Sequence, residues 1–223
     1  MLYILFNIAN MLIRALAGFL PVVPVLAVYH LVLSRNDKKK GIKAPKSHIA
    51  GVYLFCFVLA LVLSITGVPG IYDLSINANL NLKLFAYFPV MYYQYIANAL
   101  LFVPVGFLLP LLWKRFEKWQ LTLLYGFVLS ATIEFSQLFN YRITDVDDLF
   151  MNTLGTMIGF LVFAIVKKGS PRVSAFSIGY RSHWKGEPVF CFFIVWISVL
   201  VFKPILSGYL LGLAFPFVSG APG

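Results

Sequence analysis

Glu134, Gln137, Arg142, Asp145, Asp147, Asp148 and Asn152 crowd into one short stretch of an otherwise apolar chain, and four of its eight acidic residues lie between positions 134 and 148. Side chains of these types hold cations, amines or phosphates, or move protons. They are expensive where a bilayer should be, so a membrane chain that clusters them has a use for them. Glu134 and Gln137 share a helix face, and Glu134 lies about 12 Å of helix below Arg142 at about 1.5 Å per residue. A carboxylate at that depth costs about 2.5–3.5 kcal/mol on insertion scales, which predicts that it is protonated or paired, with Arg142 or Arg14 as partner. The structural alternative is that Glu134 and an Arg fasten two helices together. Thr144-x-x-Asp147 has the form of a capping box, with Asp147 and Asp148 in the first helical turn. That explains neither Asp145 nor Asn152, which sits four residues after Asp148 on the same face. Three carboxylates beside an amide and a submerged Glu suit a cationic ligand or a hard divalent cation, although no EF-hand spacing or other metal-ligand motif is present. Asn98 makes the preceding span polar at its outer end, with Pro104, Gly106 and Pro110 bending it farther in. Gly155 and Gly159 form a Gly-x-x-x-Gly face for close helix packing.

The elements that position these residues must be helices in a bilayer. Of 223 residues, 61% are hydrophobic and 12% charged, with a mean hydropathy of +0.87, more apolar surface than a soluble core can hide. Apolar runs of helical span length recur, and strand-type alternation does not. The expected fold is all-α, a polytopic transmembrane bundle of about six spans. The first runs from Met1 to about Leu33 and is interrupted by Arg14, Pro21 and Pro24, leaving room for a kink or re-entrant turn; it continues past Ala15-Leu16-Ala17 and reads as a retained anchor. The others cover about His48 to Val68, Gln94 to Trp113, Trp119 to Tyr141, Asp147 to Val166, and Val189 to Val218, the last interrupted by Lys203, Pro204 and Gly208. Gly67, Pro69 and Gly70 should stop the second. A polar, aromatic stretch from there to about Tyr93 is expected at the outer surface as a short amphipathic helix.

The net charge of +10 resides in the loops, so it reads as a topology signal and lipid headgroup contact, not as a nucleic-acid surface. It places loops 34–47, 114–118 and 167–187 in the cytoplasm and the acidic turn outside. Residues 1–168 form the expected bundle, with its core at 94–168; 169–187 is a basic linker, and 188–223 an additional span and tail. Cys56 and Cys191 read as small core residues. His30, His48 and His183, scattered near helix ends, read as interfacial.

Taken in order, Asn98-x-Leu100-Leu101-Phe102-x-Pro104-x-Gly106-Phe107, Ser130-x3-Glu134-x2-Gln137, Arg142-x2-Asp145-x-Asp147-Asp148 and Asn152-x-Leu154-Gly155-x3-Gly159 make the chain resemble the VanZ-like family, small bacterial membrane proteins named for a teicoplanin-resistance factor. The resemblance is strong from Gln94 to Lys168. It implies a cell-membrane protein that lowers sensitivity to lipoglycopeptide antibiotics, which act on lipid-linked cell-wall precursors outside the membrane.

The leading expectation is a binding protein without a resident cofactor. Its outer-leaflet pocket of Glu134, Gln137, Arg142, Asp145, Asp147, Asp148, Asn152 and Asn98 takes an envelope lipid, a cell-wall precursor or the antibiotic. An alternative is an enzyme acting on a lipid-linked phosphate or peptidoglycan intermediate with Glu134 as general acid or base. A third is a small proton-coupled transporter.

Overall fold

The computed structural model describes residues 2–38, 46–75, 80–81, 83, 85, 88–140, 144–170 and 186–215. Among these it contains eight α-helices: α1 (Leu2–Phe19), α2 (Val22–Lys38), α3 (Lys46–Ile65), α4 (Phe88–Leu112), α5 (Trp119–Gln137), α6 (Val146–Gly169), α7 (Glu187–Val201) and α8 (Lys203–Ala214). A single 3-10 turn, Lys114–Glu117, links α4 to α5. Helices α3, α4 and α6 are long and apolar enough to cross a membrane, and the number of crossings rises to five if each bent pair, α1/α2 and α7/α8, is one span. It is a helical membrane protein.

Both expected interruptions are found. Pro21 sits between α1 and α2, which meet at 41°, and Pro204 lies in the first turn of α8, bent 65° from α7. Proline suits a first turn because the amide it lacks has no helical partner there. The span expected at Trp119–Tyr141 is helix α5, but Gln120, Ser130, Thr132, Glu134, Ser136 and Gln137 keep it below the apolarity of the other three. Helix α3 stops where Gly67 adopts φ 77°, and the Val68 amide closes back on the Leu63 carbonyl, the left-handed glycine cap that a bulkier residue resists.

Helix α4 begins at Phe88 and continues through Pro104 and Pro110 to Leu112 as one helix, as membrane helices do where neighbours satisfy the carbonyls that proline frees. One expectation needs correction. The described residues between Pro69 and Phe88 do not form a surface helix. They make turns, then a two-residue strand, β1 (Leu80–Asn81), paired in parallel with β2 (Thr144–Asp145) so that Asn81 lies opposite Asp145. Asparagines and the Gly67-Val68-Pro69-Gly70 run disfavour helix here, and backbone pairing with β2 offers an alternative.

Helix α3 occupies the centre, with Phe55, Cys56, Leu59, Ala60, Val62 and Leu63 fully buried against α2, α4, α5 and α7. The tightest contact is between α4 and α6. A Cβ added at Gly155 or Gly159 would run into the carbonyl oxygens of Ala99 or Val103, and one at Gly106 into that of Thr156. The two backbones touch, as small residues permit between membrane helices. Cys56 and Cys191 are buried free thiols in this core. Lys167 pairs with Glu117 at 2.7 Å, bringing the end of α6 to the α4–α5 turn, so basic residues of both elements gather at one end of the bundle. The β1–β2 pairing and the start of α6 lie at the other.

Candidate functional site

The start of α6 is built around its acids. Asp145, not Thr144, is the N-cap: its carboxylate accepts from the Asp147 amide at 3.0 Å and from Asn81 Nδ2 at 3.0 Å. The helix therefore begins at Val146, and the capping box expected at Thr144 is replaced by a single Asp cap. Asp147 is fully buried and accepts from the Tyr95 hydroxyl at 2.9 Å and from the Phe85 amide at 2.8 and 2.9 Å. Phe85 has φ 55°, a conformation that costs a non-glycine residue energy and is held here by that carboxylate. Asp148 accepts from Asn98 Nδ2 at 2.5 Å. Three helices thus meet a pair of short strands around one group of carboxylates.

Glu134 faces this group. Only 6% exposed, it accepts the Asp145 amide at 3.1 Å, so it points into the bundle and not at lipid. One helical turn earlier Ser130 accepts from Asn152 Nδ2 at 2.9 Å. Gln137 turns the other way, donating to the Thr66 carbonyl at 2.9 Å, and Asn140 donates to that of Gly67 at 3.1 Å. These two amides satisfy carbonyls left open where α3 ends. Gln137 Oε1 and Asn152 Oδ1, both buried, accept no hydrogen bond among the described residues. Buried acceptors in that state invite a donor from outside the chain.

Sequence spacing thus identifies residues that do converge: Glu134, Asp145, Asp147, Asp148, Asn152 and Asn98 lie at one junction, and Gln137 at its edge. Arg142, the expected anion contact, lies outside the described residues, as do His183, most of the 169–187 linker and the end of the tail. Arg14 is not the partner of Glu134; its Nε donates to Asn10 within its own helix. Among the described residues no group of three His, Cys, Asp or Glu could hold a metal ion.

A second polar cluster lies at the opposite end of α3 and α4. Glu187, the first residue of α7, is fully buried and accepts from His48 Nε2 at 2.8 Å, Trp113 Nε1 at 2.8 Å and His30 Nε2 at 3.3 Å. His30 and His48 are therefore not interfacial. They are interior groups that tie α2, α3, α4 and α7 to one carboxylate, and a helix N-terminus favours that negative charge. The available signal was depth: His30 and His48 flank one basic loop and must lie at the same level, and Glu187 precedes Pro188 at the head of an apolar run. Tyr95, which touches Asp147, gave no sequence signal.

No curated protein and no solved structure matches the chain. The family profile VanZ/LLP1 matches residues 52–167, just over half of the chain, which covers most of α3, all of α4 and α5, and α6 to within its last two residues, with the whole acidic junction. The chain belongs to the VanZ/LLP1 family.

Proposed function

We propose that this protein is a multi-pass component of a bacterial cytoplasmic membrane, in which α5 completes a set of six crossings and the acidic junction faces outward. The placement of Lys114, Arg115, Lys118, Lys167 and Lys168 at the other end of the bundle supports this orientation, since basic residues favour the cytoplasmic side. The junction binds an amphiphile of the outer leaflet, either a lipid-linked cell-wall precursor or a lipoglycopeptide of the teicoplanin type, and so lowers sensitivity to the drug. The observation that carries this reading is Glu134, turned inward and bonded to the start of α6. In this reading Glu134 and Asp148, each also bonded within the bundle, present negative charge to an amine, while Asn152 Oδ1 and, from the edge of the junction, Gln137 Oε1 accept its remaining hydrogens. Arg142 would meet a phosphate or carboxylate.

The test is the teicoplanin inhibitory concentration of cells expressing wild type or Glu134→Gln at equal membrane levels. Loss of the wild-type increase in the variant is the expected result, and an unchanged value contradicts the site. Analysis of the lipid-linked precursors in the same cells separates two classes of activity. An unaltered pool accords with binding, and a modified precursor with catalysis.

A further inference from the structure

A cavity of about 560 Å³ opens on the far side of the α3 terminus, at the bend between α7 and α8. Its size falls within the range of about 300–1,000 Å³ typical of small-molecule sites. Two cations line it, Arg14 from α1 and Lys203 from the first turn of α8, with Asn140, Ser64 and Ser207 as further polar groups and Asp73 as the one carboxylate. Lys203 Nζ spends one hydrogen on the Val68 carbonyl at 2.6 Å, which aims the ammonium at the α3 end and leaves two hydrogens. Among the described residues Arg14 donates only through Nε, to Asn10. Among the described residues Asp73 forms an ion pair with neither cation, so the cavity keeps an excess of one positive charge. Two like charges held at one cavity of a membrane protein call for an anion, and the remaining guanidinium and ammonium hydrogens match phosphate oxygens. The helices that supply the cations also expose Leu12, Leu16, Ile205 and Tyr209, apolar flanks alongside which acyl chains can lie.

We infer that this cavity binds the phosphate head group of an anionic membrane lipid, at a site distinct from the Glu134 junction and independent of it. The probes are phosphatidylglycerol, phosphatidylcholine and inorganic phosphate, added to the purified full-length protein in detergent and followed by native mass spectrometry of retained ligand. Phosphatidylglycerol should be retained in preference to phosphatidylcholine. Arg14→Gln and Lys203→Gln should each weaken retention roughly tenfold, the size of one charge-assisted hydrogen bond. Arg14→Lys and Lys203→Arg should restore most of it. Asp73→Asn, whose side chain makes no hydrogen bond among the described residues, should strengthen retention and so tests the electrostatics without threatening the fold. Competition by inorganic phosphate at matched concentration would uphold phosphate recognition and overturn the lipid as its source. Equal retention of the two lipids, or retention indifferent to Arg14→Gln and Asp73→Asn in variants of wild-type thermal stability, overturns the inference.

Discussion

Asp147 and Asp148 are neighbours with different tasks, and replacing each by Ala separates them. Asp147 is fully buried and holds the Phe85 amide and the Tyr95 hydroxyl. Its loss removes the acceptor of both bonds and releases a strained residue, at a cost of about 3 kcal/mol. Asp148 is half-buried and accepts from Asn98, so its loss costs less, about 1 kcal/mol. Thermal unfolding in detergent should therefore fall much further for Asp147→Ala than for Asp148→Ala; equal shifts would contradict the assignment of Asp147 to structure. The convergence of these acids on Glu134 is readable from spacing alone, because all lie within one helix hairpin. Which of them is structural is not, since the partners of Asp147 lie 62 and 52 residues upstream. The same holds for Glu187, whose histidines are 157 and 139 residues away.

The α4–α6 pair carries the site, because Asn98 and Tyr95 on one helix meet Asp148 and Asp147 on the other. Gly155 faces the Ala99 backbone with no space for a methyl group, whereas Gly169, at the end of α6, has nothing within 4 Å. Gly155→Ala should thus cost at least about 2 kcal/mol by overpacking and weaken any activity of the junction, while Gly169→Ala should leave both unchanged. Thermal unfolding of the two variants side by side checks this. The Gly-x-x-x-Gly spacing predicts a close approach without naming the partner, and Gly106 on α4 reads in sequence as part of a bend when it is the matching half of that contact. Helix α5 is the opposite case. Its polar face is plain in sequence, but only the surrounding helices show that Ser130 and Glu134 face α6 and the acidic turn while Phe127 and Phe135 face outward.

At the scale of the molecule, the bundle separates its polar groups by depth. One end gathers basic loops and the Glu187 cluster; the other gathers the acidic junction and the cavity of Arg14 and Lys203, joined through the α3 terminus that Gln137 and Asn140 cap. Helical class and membrane character follow from composition and the bends at Pro21 and Pro204 from local proline placement, whereas the pairing of β1 with β2 depends on contact between distant segments. The central claim is that Glu134 belongs to a ligand site and not only to a helix fastening. Equilibrium binding of teicoplanin and of a purified lipid-linked cell-wall precursor to the full-length protein in lipid nanodiscs tests it most directly. Wild type should bind at least one of the two, and Glu134→Gln, nearly isosteric and still able to accept the Asp145 amide, should bind it roughly tenfold more weakly at unchanged thermal stability. Equal binding by the two proteins, or binding by neither, would contradict it.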